Sequence, residues 1–351
     1  MSAMPTDVFS LDDASKLLVW TGVAIYTLAF IAFAIDVARR SDLAIKAKDA
    51  AQDRVLVGVG AASIGVDPVA LMRAEQSAAL AEVEAPLSAR RRYLWARMGT
   101  ALLVLGFVFH FGATLLRGFA AGRVPWSNNY EFALTGTLLI VLVFLAVLLK
   151  YDLRFLGGFI TGMVAVLLGA AMLNYYVAVV PLADPLKSIW LVIHVFVASL
   201  STAFFALAFA LSVLQLFQHR RERLVIAAQE SGQPGVGSGL RMLRIVPSAD
   251  ALESLAYRFA IIGFIFWTFT LIAGSIWAND AWGRYWGFDT KEVWTFVIWV
   301  LYAGYVHARA TRGWRGTRSA WLSIVGFTAV IFNFTIVNQF FKGLHAYSGL
   351  S

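Results

Sequence analysis

The chain has 351 residues, of which 60% are hydrophobic and 14% charged, and its formal net charge is +8. A soluble domain carries roughly 25% charged residues and lacks the interior to hide so much apolar side chain, so the composition excludes a water-soluble globular fold. With no Cys, the chain also lacks disulfides, thiolate metal sites, Cys nucleophiles and any thioether-linked prosthetic group of its own.

Eight apolar stretches are long enough for a helix that crosses a bilayer, which needs about 20 residues. They lie near residues 17–37, 98–118, 132–149, 155–178, 189–215, 255–277, 293–308 and 319–341. The runs are near-continuous and do not alternate, so the pattern is helical and not that of a β-barrel. The expected fold is therefore an all-α polytopic membrane protein, a bundle of about eight transmembrane helices. Residues 1–40 are read as a first transmembrane helix with a short outer N-terminus that carries Asp7, Asp12 and Asp13. It lacks a basic leader and a small-residue cleavage site, so it reads as a retained helix. Residues 41–94 read as a basic, partly helical cytoplasmic excursion ending in Arg90, Arg91 and Arg92. Residues 95–351 read as a seven-helix core with an outward tryptophan-rich loop at 277–292. The seventh stretch is the weakest, because Glu292 and His307 bracket its short apolar centre.

Lys and Arg counts orient the chain. With the N-terminus outside, the inward segments 38–97, 150–154, 216–258 and 309–318 hold 22 basic residues, and the rest of the chain holds 7. Basic residues concentrate on the cytoplasmic side, so both termini are expected outside. In a membrane protein the basic excess marks such loops, and nucleic acid is not an expected partner.

Two features carry chemistry. The first is the stretch from Trp277 to Glu292, which holds Trp282, Gly283, Tyr285, Trp286, Gly287, Phe288 and Asp289. Trp and Tyr favour the membrane interface because one end of the side chain is apolar and the other bonds to water. The density here, with Gly interspersed, also suits a platform for a flat apolar ligand. The second feature is the set of five His. Ionisable groups inside a span are functional candidates, although a lone His there often serves as a helix–helix hydrogen-bond partner. His194, about five residues into span five, and His345, just after span eight, lie at the level of the tryptophan stretch. Two imidazoles can ligate haem iron from opposite faces. His307 is roughly 21 Å further in, at about 1.5 Å per residue, and His110 lies within span two. His219 belongs to the basic cluster Arg220, Arg221 and Arg223.

The tryptophan stretch resembles the signature of the CcsA (ResC) family of haem-handling proteins of type II cytochrome c maturation. The family pattern, Trp-Gly-x-x-Trp-x-Trp-Asp followed by Lys-Glu and a further Trp, falls on Trp282, Gly283, Trp286, Phe288, Asp289, Lys291, Glu292 and Trp294. Ile276 to Asn279, the helix end from Tyr302 to Arg309, and Pro125-Trp126-Ser127-Asn128 with Tyr130 and Glu131 match as well. The resemblance implies a subunit of a cytochrome c synthase in the plasma membrane of a bacterium, with a thylakoid membrane as the alternative. Its cofactor would be haem b, reduced during attachment. Its partners would be a CcsB (ResB) type membrane protein, an apocytochrome c with a Cys-x-x-Cys-His segment, and thiol-reducing proteins upstream.

The resemblance assigns His194 and His345 as outer axial ligands and His307 as a deeper iron ligand whose counterpart lies on the CcsB subunit, with His110 as the other candidate for that counterpart. Trp126, Trp277, Trp282, Gly283, Trp286, Phe288 and Asp289 would line the haem. His194, His345, Trp282, Trp286 and Asp289 would act in attachment. Phe288 replaces a usual Trp, which keeps a ring and removes an N–H. Arg123 stands where relatives often have His, and is a candidate partner for a haem propionate. Two other functions fit the residues: a haem exporter that hands haem to another protein, and a quinone- or lipid-binding membrane protein.

Overall fold

The computed structural model describes residues 10–61, 93–231, 240, 242–311, 313–341 and 343–344. Eight long helices run through these residues: α1 (Leu11–Ala61), α2 (Leu94–Ala121), α3 (Asn129–Leu148), α4 (Gly157–Asn174), α5 (Ile189–Glu230), α6 (Ala249–Trp282), α7 (Thr290–Thr311) and α8 (Thr317–Phe332). A π-helical turn (Asn333–Val337) and a last short helix, α9 (Asn338–Phe340), extend α8. No strand occurs among the described residues. Seven of the long helices contain a stretch apolar enough to span a bilayer. The eighth is α7, the stretch expected to be weakest, which carries Lys291, Glu292, His307 and Arg309 near its ends. Short connections at 122–128, 149–156, 283–289 and 312–316 make consecutive helices antiparallel. Residues 62–92 of the expected basic excursion and residues 232–239 of the inward segment 216–258 lie outside the described residues, while α1 continues as helix to Ala61 and α5 to Glu230.

Helices embedded in lipid gain little from apolar burial against one another, so close packing and internal hydrogen bonds hold them. The Phe33 ring of α1 sits between Gly99 of α2 and Gly157 of α4, where a Cβ would come within 2.9 and 2.7 Å of it. Phe205 of α5 stacks on Tyr302 of α7 with ring centroids 3.6 Å apart and planes 7° from parallel. α5 packs along α6, and α3 and α8 also lie against α5.

One end of the bundle is built on buried charge. Arg117 of α2 is fully buried and bonds Glu131 of α3 at 2.9 Å, Asp12 of α1 at 2.7 Å and the Val177 carbonyl at 2.9 Å. Glu131 also accepts from Arg123 at 2.7 Å and from the Ser127 amide at 2.8 Å. Tyr176 donates to Asp12. An unpaired charge here would be prohibitive, so the cluster locks α1, α2, α3 and the 175–180 segment in one arrangement. At the other end, Glu253 of α6 accepts from Arg309 at 3.1 Å and from the Gly316 amide at 2.7 Å.

Candidate functional site

The antiparallel order brings the start of α3, the ends of α4 and α6, the starts of α5 and α7, and the α8–α9 extension to the same end of the bundle. Their side chains enclose a cavity of about 350 Å³, a size usual for ligand sites. The cavity reaches Thr202 of α5, 13 residues beyond Ile189, which is roughly 20 Å deep at about 1.5 Å per residue. Its rim is aromatic: Trp277, Trp282, Tyr285, Trp286 and Tyr175. Trp267, Phe327 and a few hydroxyls such as Thr270 lie deeper.

His194 lines this cavity. Its position follows from local capping: Ser188 accepts from the Trp190 amide at 3.3 Å and starts α5 at Ile189, so His194 falls in the second turn. The imidazole rests on Gly274 of α6, where a Cβ would lie 2.8 Å from its Cε1. Trp277 meets the same ring edge-on at 5.5 Å and is itself fixed by a 3.0 Å bond from its indole N–H to the Pro185 carbonyl.

The tryptophan stretch is half helix. No Gly or Pro lies between Gly274 and Gly283, so α6 continues through Trp282, and Trp277 and Trp282 project from helix rather than from a loop. Gly283 ends α6 in the left-handed region at φ 71°, with its amide on the Asn279 carbonyl at 2.8 Å. Its glycine is thus explained by the helix end, as at many C-termini. Residues 283–289 then fold over the start of α7, where one Glu292 oxygen accepts from the Gly287 and Asp289 amides at 2.8 and 3.1 Å. Trp286 turns into the cavity, with Phe296 edge-on to it at 6.3 Å. Phe288 has φ 54°, unusual for a residue other than Gly, and points outward at 81% exposure. Asp289 lies beside the cavity in a small crevice with Lys291, Asn338 and Gly343.

The other expected residues separate from the cavity. His110 is fully buried between helices, with Nε2 2.8 Å from the Leu134 carbonyl and Nδ1 3.3 Å from the Tyr26 hydroxyl. Both ring nitrogens are engaged, the arrangement of a helix–helix strut. Trp126 is buried behind α5 against Leu186, Leu191 and Val195, and its indole donates to Thr135 at 2.7 Å. Arg123 is bound to Glu131, Ser127 and the Val180 carbonyl and does not line the cavity. His307 lies on an exposed face of α7 with Val293, Phe296, Val300 and Gly304. His345 lies outside the described residues. Sequence reasoning missed Gly274, and it gave Asn129, Asn338 and Lys291 no role at a site. Lys291 was visible as part of the Lys-Glu pair. Gly274 and Asn338 carried no local signal.

The model of the cytochrome c assembly protein family matches residues 126–345. The chain belongs to that family. The matched span covers α3 to the end of α9 and therefore every wall of the cavity. Among curated members, the chain is 39% identical over 177 residues to the cytochrome c biogenesis protein CcsA of Prochlorococcus marinus (47% of this chain, 56% of that protein). It is 38% identical over 176 residues to CcsA of Parasynechococcus marenigrum (48% and 58%) and 38% over 196 residues to CcsA of Synechococcus elongatus (48% and 60%). The alignments thus span little more than half the length of these relatives. Among solved structures, the cytochrome c heme lyase CcmF aligns with a TM-score of 0.56 over 95% of this chain and 48% of its own, at 14% identity, which establishes a shared fold.

Proposed function

We propose that this family member receives haem at the tryptophan end of its bundle and presents it for covalent attachment to apocytochrome c, as one subunit of a cytochrome c synthase. The observation that carries this reading is an imidazole, His194, set in the wall of an aromatic cavity beside Trp277, Trp282 and Trp286. The family match to a cytochrome c assembly protein supports it.

The residues divide the work. His194 and His345 would hold the haem iron. Trp282 and Trp286 would confine the ring by stacking. Asp289 would orient the loop around it. Haem supplies the two vinyl groups that the thiols of a Cys-x-x-Cys-His segment add to. This chain has no Cys, so both sulfurs come from the apocytochrome, and the protein contributes position, which makes a bimolecular step effectively unimolecular. The exposed face of α7 that bears His307 suits a membrane partner of the CcsB type completing a second, deeper iron site. The 22 to 7 basic bias supports the tryptophan end facing outward in a bacterial plasma membrane.

The test is a pair of variants, His194→Gly and His345→Gly, each with its partner subunit present. Each is expected to lose six-coordinate haem and cytochrome c assembly, and added imidazole is expected to restore part of both. The readouts are the reduced-minus-oxidised spectrum of the purified protein and haem staining of the cytochromes made. Normal spectra and normal cytochrome in both variants would refute the reading. A haem exporter without attachment chemistry would keep the spectra but never convert bound apocytochrome.

A further inference from the structure

The cavity wall contains a directed chain of donors with an open end. Lys291, in the first turn of α7, donates from Nζ to Asn338 Oδ1 of α9. Asn338 Nδ2 donates in turn to Asn129 Oδ1 of α3 at 3.1 Å. Asn129 is 2% exposed, and among the described residues its Nδ2 has no protein hydrogen-bond partner. All three residues line the cavity, and they come from three different walls of it. A buried amide donor left unsatisfied costs free energy, and native interiors rarely leave one without a reason.

The surrounding charges narrow the occupant. Lys291 is the only Lys or Arg among the described residues of the cavity lining. Arg117 and Arg123 are bound to Asp12 and Glu131 elsewhere. The Glu292 carboxylate is engaged by the backbone of the 283–289 loop. Asp289 is near enough to act on the Lys291 ammonium electrostatically, yet it lies in the adjoining crevice and does not line the main cavity. The cavity wall thus holds an ammonium and, joined to it through one carboxamide, a buried amide N–H with no protein acceptor among the described residues. That pair matches an acceptor with two equivalent oxygens, in other words a carboxylate.

We propose that Lys291 and Asn129, held in register by Asn338, form a carboxylate subsite that takes a propionate of the bound porphyrin. The inference rests on the haem reading above and adds the group that sets the ring's rotation about the iron axis. Lys291 Nζ and Asn129 Nδ2 would each donate to the propionate, and this anchorage would fix which edge of the ring faces the attachment side. Asn338 is a positioning residue, because it aligns the two donors.

The test titrates the full chain, purified in detergent, with iron protoporphyrin IX, with its dimethyl ester, which has no carboxylates, and with a long-chain fatty acid. Soret absorbance and tryptophan quenching report binding. Wild type is expected to prefer the diacid over the diester by about tenfold, the scale of one charge-assisted contact. Lys291→Met is expected to abolish that preference by weakening the diacid more than the diester, and a thermal unfolding curve like that of wild type shows that the variant is folded. Asn129→Leu should reduce the preference in part, and Lys291→Arg should keep it. Equal binding of diacid and diester by wild type, or equal weakening of both by Lys291→Met, would overturn the subsite and leave the haem reading standing. Displacement of the diester by fatty acid, with no diacid preference, would assign the carboxylate to a lipid and overturn the proposal. Failure of wild type to bind either porphyrin would overturn the haem reading and this inference together.

Discussion

Gly274→Ala tests whether the orientation of His194 is built into the fold. The added Cβ would stand 2.8 Å from Cε1 and 3.1 Å from Nδ1 of the imidazole. Ordinary contact between such atoms needs about 3.5–4.0 Å, so the ring must retreat by roughly 1 Å. It cannot turn freely, because Trp277 meets it edge-on at 5.5 Å and is tied to the Pro185 carbonyl. The retreat is therefore into the cavity. Overpacking of this kind costs about 1–3 kcal/mol. Because the cavity absorbs the movement, most of that cost is expected in ligand binding rather than folding. At about 1.4 kcal/mol per decade, haem retention should fall roughly tenfold to a hundredfold. The assay is the haem-to-protein ratio after washing in detergent, with low-temperature electron paramagnetic resonance reporting the angle between axial ligands. Thermal unfolding of the haem-free protein serves as the control. Unchanged haem content with unchanged resonance would refute the reasoning, because it would mean that the imidazole is not held by Gly274.

Glu131→Gln should unfold at lower temperature. The substitution leaves the fully buried Arg117 and the largely buried Arg123 facing a neutral amide, and breaking a buried ion pair costs about 3–5 kcal/mol. Fluorescence-detected size exclusion after heating measures it, and a melting temperature equal to wild type would show that Asp12 alone sustains the cluster. Fusions at the C-terminus check the orientation: alkaline phosphatase should be active there and green fluorescent protein dark, and the reverse pair would invert the topology.

The helices were legible because a span must be apolar for about 20 residues, and nothing in the tertiary structure can relax that requirement. Span ends were less so. α6 continues to Trp282 because Trp and Asn at 277–279 are tolerated in a helix, and only Gly283 can take the left-handed φ that ends it. His194 was legible as an ionisable group near a helix end. Its support was not, because Gly274 matters only through its position across the α5–α6 contact. Arg123 was misleading for the same reason: its partner Glu131 is eight residues away in sequence, and the three-residue cap from Asn128 to Glu131 is what turns that carboxylate toward it. The donor chain from Lys291 through Asn338 to Asn129 joins residues 47 and 209 positions apart, a relation no local pattern encodes.

The π-helical turn at Asn333–Val337 lies immediately before Asn338. A π turn acts as one extra residue in an α-helix, so everything beyond it is rotated by about 100° relative to an unbroken continuation of α8. Asn338 faces Lys291 and Asn129 only with that rotation included. The segment therefore works as a phase setter: it lets α8 keep Phe327 and Val330 on the cavity wall while presenting a different azimuth to the residues that follow. Removing a single residue within 333–337 would restore a regular helix and leave Asn338 at its present azimuth, whereas forcing the same five residues into α geometry would swing it about 100° away from both of its neighbours.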